Sequence, residues 1–337
     1  MSVASTSSLT VIFNSVNWSF NYVILPICFI LGNAGNCLNL LIFARSSSRS
    51  NSCFLYFLSA SVINVIILNF GLVLRLLRGL WNIDPALTLL WFCRLRTYLV
   101  GASFLIYRLS ILFACVDRMC ASSRSAWIRM ESRPKVAYRL IILIWIICAI
   151  YLSPSLIYQT IVYGQCLAPP NTIYATYSTI STLIQGLFIP SSMILCGIIT
   201  FLHLKMMQKR VEPLHNLTGQ NERHILGQYL AMLVVQVITD FLCNILYPAY
   251  LIYNLISPAP TPTTLFILNL AFTTPYLNFS AAFYLYTLSS PKFRRKLVRA
   301  LKQIKWIRQN SPDDRSHGHT ATAVSLRHQP VITALYA

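Results

Sequence analysis

Acidic side chains are scarce in this chain: eight Asp and Glu among 337 residues, with all charged residues together only 10%. A water-soluble globule usually carries about 25% charged residues, so that class is excluded. Histidine is equally scarce. The six present, such as His203, His215 and His224, fall in or beside one polar connection or in the C-terminal tail. The apolar stretches therefore hold no His-rich or paired-acid cluster to bind a metal or run acid–base chemistry, and neither an enzyme nor a cofactor is implied. Residues 1–20 contain no charge at all, so they lack the basic start of a secretory signal, and no cleaved leader is expected.

What is abundant is apolar surface. Hydrophobic residues make up 56% of the chain and the mean hydropathy is +0.60. Such a chain is counted in membrane spans of about 20 residues. Seven are expected, near residues 22–44, 53–74, 91–123, 136–158, 173–204, 225–255 and 265–288. The fold class is an all-α membrane protein, a seven-helix transmembrane bundle. Residues 1–21 form an extracellular N-terminus and 22–290 the membrane domain. Residues 291–306 read PKFRRKLVRALKQIKW, with Phe293, Leu297, Leu301 and Ile304 at helical spacing among basic residues. This predicts a short amphipathic eighth helix along the inner leaflet, and 307–337 a disordered cytoplasmic tail.

The formal net charge of +19 raises nucleic acid as a partner, but the positions of the charges argue otherwise. All but five of the 27 Lys and Arg fall in alternate loops, at Arg118 or in the tail. That is the positive-inside pattern of a lipid-embedded chain with its N-terminus outside, so no nucleic acid is needed. Asn17-Trp18-Ser19 is then a glycosylation sequon on the outer side. Of ten cysteines, only Cys93 and Cys166 fall outside, where oxidation is possible, and they are expected to bridge.

Within the spans, small and polar residues mark helix contacts. Gly32-Asn33-Ala34-Gly35-Asn36 allows close approach in the first span. Pro190 and Pro248 each remove a backbone bond and act as helix pivots. Two charges, Arg108 and Asp240, fall at mid-membrane depth, where pairing is the simplest way to reduce their cost.

From Cys93 to Arg118 is 25 residues, roughly 37 Å of helix, a little over the hydrocarbon thickness. With Gly35-Asn36, Cys93, Asp117-Arg118-Met119, Trp145, Cys166, Pro190, Pro248, and Tyr286 followed by Phe293-Arg294, the chain resembles the class A, rhodopsin-like G-protein-coupled receptors over residues 22–305. The resemblance implies a plasma-membrane receptor for an extracellular ligand, coupled to a heterotrimeric G protein. It also implies that Asp117 holds Arg118 at rest, that Tyr286 takes part in switching, and that Val100, Phe104, Ala249 and Tyr250 line the ligand pocket. Several positions depart from the pattern. Val62, Tyr107 and Ala282 stand where the family holds sodium ligands, Leu246 where it has tryptophan, Ala282-Phe283 where it has Asn-Pro, and Gln228 near the expected acidic latch for Arg118.

The missing lysine between Val211 and Pro291 excludes the Schiff base of opsins, and the lack of an acid before Asp117 in span three excludes the carboxylate anchor of amine receptors. At the outer mouth, Arg75, Arg78, Arg94 and Arg96 face only Asp84. They suit an anionic group on a peptide or small molecule, or equally they reach toward lipid headgroups. The rival function is a transporter or channel, for which inverted repeats and rings of acids are missing.

Overall fold

The computed structural model describes residues 2–162, 165–209, 217–256 and 261–309. Among them, six helices are long and apolar enough to cross a membrane: α1 (Leu9–Phe43), α2 (Ser52–Trp81), α3 (Leu90–Ala121), α4 (Pro134–Tyr158), α5 (Ile173–Met206) and α6 (Gly227–Tyr253). The seventh, α7, comes in two pieces, Pro262–Thr273 and Pro275–Ser289. Pro275 lacks an N–H and its ring crowds the preceding turn, so the helix stops at Thr274 and restarts. The Thr274 hydroxyl donates to the Cys243 carbonyl of α6 at 2.8 Å, which anchors the break. The sequence reading ran straight through this interruption.

Two further boundaries differ from expectation. α1 starts well before Tyr22, the expected start of the first span, and passes through a π-helical turn at Phe20–Ile24. An uncharged segment can extend a helix in this way because it packs: Phe13 stacks on Phe266 of α7 at 4.3 Å. After α7, α8 (Pro291–Gln309) runs past residue 306. The bundle through Leu297 is one compact unit and the chain from Val298 a second. The expected tail beyond Gln309 lies outside the described residues.

α2 and α3 are the central helices, with 61% and 56% of their most apolar windows buried against 17% for α4. The helices approach closely where glycine allows. A Cβ at Gly32 would lie 2.8 Å from Leu68 and Ser280, and one at Gly35 2.8 Å from Phe283. In a low-dielectric interior each amide must find a partner, and the buried Asn36 finds three. Its Nδ2 donates to the Gly32 carbonyl at 2.8 Å and to the Phe279 carbonyl of α7 at 3.0 Å, while its Oδ1 accepts from Asn64 of α2 at 3.1 Å. Three helices are thereby joined at one side chain. Trp145 does similar work for α4: its Nε1 donates to Ser59 of α2 at 3.1 Å, and Ser59 bonds Ser110 of α3 at 3.2 Å.

The Pro248 ring of α6 packs against Gly186 of α5, one turn before Pro190. Pro190 has no N–H to offer the Gly186 carbonyl, and the helix widens into a π-helical turn at Ile184–Phe188 just before it, where the Ile189 N–H donates to the Ile184 carbonyl. Pro248 likewise leaves the Asn244 carbonyl without its usual helical donor, and the α6 helix breaks between Asn244 and Leu246. A Cβ at Gly186 would run into the Pro248 ring, so glycine is what lets the two kinks pack against each other.

Candidate functional site

α3 carries its candidate site residues at both ends and in its middle. At the outer end, β1 (Thr160–Val162) pairs antiparallel with β2 (Gln165–Leu167), Ile161 opposite Cys166. A disulfide joins Cys166 to the buried Cys93, with Cα atoms 5.7 Å apart. The loop after the fourth span is thus a hairpin pinned over the top of α3.

The arginines beside it are not equivalent. Arg96 donates to both carboxylate oxygens of Asp84 at 3.1 and 3.2 Å, and Arg78 reaches the same group at 3.5 Å. Arg94 donates through Nε to the Gln159 carbonyl at 3.0 Å, so it braces the segment entering the hairpin. Arg75 has neutral partners: its Nη2 donates to Thr273 Oγ1 at 3.1 Å, to the Asn269 carbonyl at 3.3 Å and to the Asn269 side chain, while its Nε is buried without a hydrogen bond. Asn269 also donates to Asn17 Oδ1 at 2.6 Å, which puts the sequon asparagine in a helical hydrogen-bond network. Val100 lies next to Gly71 and Tyr276, and Phe104 against Phe279 with ring centroids 5.0 Å apart. On the outer half of α6, Ala249 is exposed and Tyr250 half-buried.

In the middle, Arg108 and Asp240 approach to 4.0 Å. Asp240 Oδ1 accepts from Asn278 at 2.8 Å and from Asn244 at 3.1 Å. Gln236 donates to Tyr107 Oη at 2.5 Å and to Asn278 Oδ1 at 2.8 Å. Tyr107 thus occupies a buried polar junction of α3, α6 and α7. Sequence reasoning named Arg108, Asp240 and Tyr107 but not Gln236 or Asn278. Their signal is an amide side chain inside an apolar run: Gln236 lies about one helical turn before Asp240, while Asn278 stands in a span with no charge of its own.

At the inner end, Asp117 and Arg118 are both almost fully buried. Arg118 Nε donates to Asp117 Oδ2 at 3.0 Å, with Nη2 on the same oxygen. Ser132, from the loop that follows, donates to Asp117 Oδ1 at 2.8 Å, and Ser52 of α2 accepts from Arg118 Nη2 at 3.3 Å. On the α6 side the guanidinium lies 5.6 Å from the ring centroid of Tyr229. An aromatic face therefore stands one residue beyond Gln228, where an acid was expected to latch, and a cation–π contact replaces an ion pair. Tyr286 is enclosed by Phe57 at 4.8 Å, Phe293 at 6.1 Å and Phe43 at 6.2 Å.

No family model matches the chain. It is similar to N-formyl peptide receptor 3 of Macaca mulatta, 24% identical over 314 residues that cover 86% of this chain and 85% of the relative. The similarity fits a divergent member of the rhodopsin-like, class A receptors, a family of multi-pass membrane proteins that signal through G proteins and are not enzymes. The disulfide, the buried Asp117-Arg118 pair and Trp145 are the features of that class that this receptor keeps. At mid-bundle it has its own arrangement, an arginine on α3 facing an aspartate on α6.

Proposed function

We propose that this receptor, with its N-terminus outside the cell, binds a peptide or small anionic molecule at its outer mouth and activates a cytoplasmic heterotrimeric G protein through Arg118. The observation that carries the proposal is the double fastening of α3: covalent at Cys93, breakable at Arg118. At rest Arg118 is held by Asp117, Ser52 and the Tyr229 face. Outward movement of the inner half of α6 about Pro248 takes Tyr229 away and opens a cleft for a partner helix. Pro190 and Tyr286 serve the same movement, as pivot and as a ring that repacks.

The mouth favours an anion because Arg75 has neutral partners and two further arginines share Asp84. A peptide supplies such a group as its terminal carboxylate, and the macaque relative is named for peptides. Val100 and Phe104 would form the apolar floor beneath it, with Arg94, Ala249 and Tyr250 at the rim. Asn17 would be the glycosylation site of the outer end.

The test is nucleotide exchange on membranes carrying the receptor, driven by a peptide library. Arg118→Ala should abolish exchange while leaving ligand binding. Arg75→Ala should weaken acidic and free-carboxylate peptides and spare amidated ones. Ion flux without nucleotide exchange would instead favour a channel or transporter.

A further inference from the structure

A cavity of about 380 Å³ lies between α3, α5 and α6 in the inner half of the bundle, away from the ligand mouth. Met193, Gly197 and Phe201 line it from α5, Val234 and Ile238 from α6, and Arg118 is its one charged lining residue. From Met193 to Phe201 is eight residues, a slot roughly 12 Å tall. This size is in the range of small-ligand sites.

Its polar groups are already engaged. Arg118 is held by Asp117, Ser52 and Ser132, and the Thr200 hydroxyl donates to the Cys196 carbonyl of its own helix at 2.7 Å. Water entering the slot would gain few hydrogen bonds, and apolar cavities of this kind stay dry. Gly197 adds an independent sign of open space, since a Cβ built there meets nothing within 4 Å. Phe201, Ile198 and Ile238, around the opening, are 58%, 51% and 53% exposed on helices of strongly apolar composition. The slot is thus continuous with the surface that faces the bilayer, and the molecule delivered to it is lipid.

We propose that this slot is a binding site for an acyl chain of a membrane phospholipid, inserted sideways between α5 and α6. The chain matches the slot in being apolar and narrow, and its headgroup stays at the inner membrane surface. Seated there, it fills the gap beside Arg118 at the level where α6 would move.

The experiment needs neither the extracellular ligand nor a G protein, so its outcome is separate from the receptor mechanism above. The receptor is placed in phosphatidylcholine vesicles doped with a phosphatidylcholine bearing a mid-chain diazirine, irradiated, and its adducts mapped by mass spectrometry. Adducts are expected on the inward-facing Met193 and Cys115 as well as on the outward-facing Leu195, which serves as the reference for general lipid contact. Gly197→Phe should lower the inward adducts at least fivefold and leave Leu195 unchanged, while Gly197→Ala keeps both. Adducts confined to outward residues in the unsubstituted protein overturn the proposal, whether or not the Phe variant folds. So do inward adducts that Gly197→Phe leaves intact. In a parallel arm with a diazirine fatty acid, labelling of the slot by the free acid alone would overturn the phospholipid as occupant.

Discussion

Arg108 on the third helix and Asp240 on the sixth face each other at 4.0 Å, yet no hydrogen bond joins them, and Asp240 Oδ2 has no donor at all. The carboxylate is held from its other oxygen by Asn278 and Asn244. The pair therefore links two helices by charge alone, while amides carry the directional bonds.

That asymmetry predicts unequal effects of breaking the pair. Removing one partner of a buried pair costs about 3–5 kcal/mol when bonding is good, and the unbonded contact here belongs at the low end. Arg108→Ala leaves a carboxylate that two amides still serve; Asp240→Ala leaves a buried guanidinium facing no charge. Thermal unfolding in detergent should show the larger drop for Asp240→Ala. The double variant Arg108→Met with Asp240→Leu should lie closer to the unsubstituted receptor than either single change. Equal drops for the two single variants would show that the amides contribute nothing to the carboxylate.

At the inner end, the cation–π contact of Arg118 on Tyr229 is worth about 0.5–2 kcal/mol, a factor of roughly 2 to 30 in a two-state balance. Tyr229→Leu should raise ligand-free nucleotide exchange within that range, and Asp117→Asn should raise it further because a charged hydrogen bond is lost. Basal exchange unchanged in both variants would contradict the resting role given to these groups.

Two glycines on α5 should respond in opposite directions to the same substitution. Gly186→Ala drives a methyl group into the Pro248 ring, an overpacking that typically costs about 1–3 kcal/mol. Gly197→Ala meets nothing and gains about 0.5–1 kcal/mol from helix propensity. The melting temperature should fall for the first and rise for the second, and Pro248→Ala should suppress the first effect. Lack of suppression would place the strain elsewhere.

The disulfide should matter to the mouth more than to the bundle. Cys93→Ser with Cys166→Ser frees the hairpin that Arg94 braces at Gln159. Ligand affinity should fall at least tenfold while Arg118-dependent basal exchange persists. Loss of basal exchange along with affinity would mean that the cross-link also supports the inner end.

Much of this was legible in the chain because membrane burial forces simple rules. Backbone groups in lipid must be satisfied within a helix, so apolar length predicts spans. Cys93 and Cys166 are recognisable by elimination, and Asp117-Arg118 through the resemblance to the class A receptors. Gln236, Asn278, Tyr229 and Ser132 were not. Their roles depend on which face of a helix meets which neighbour, and a one-residue difference, Gln228 against Tyr229, turns the side chain by about 100°.

By itself, the sequence determined a bundle of membrane-spanning helices, the break before Pro248 and the cross-link at Cys93, because each follows from local chemistry or from the lipid solvent. Only the tertiary structure decided that Arg108 meets Asp240 without a hydrogen bond, that Gly186 seats Pro248, and that an apolar slot opens beside Arg118. Those are relations between distant segments, set by helix rotation and packing to within an ångström, and no periodicity along one helix encodes them.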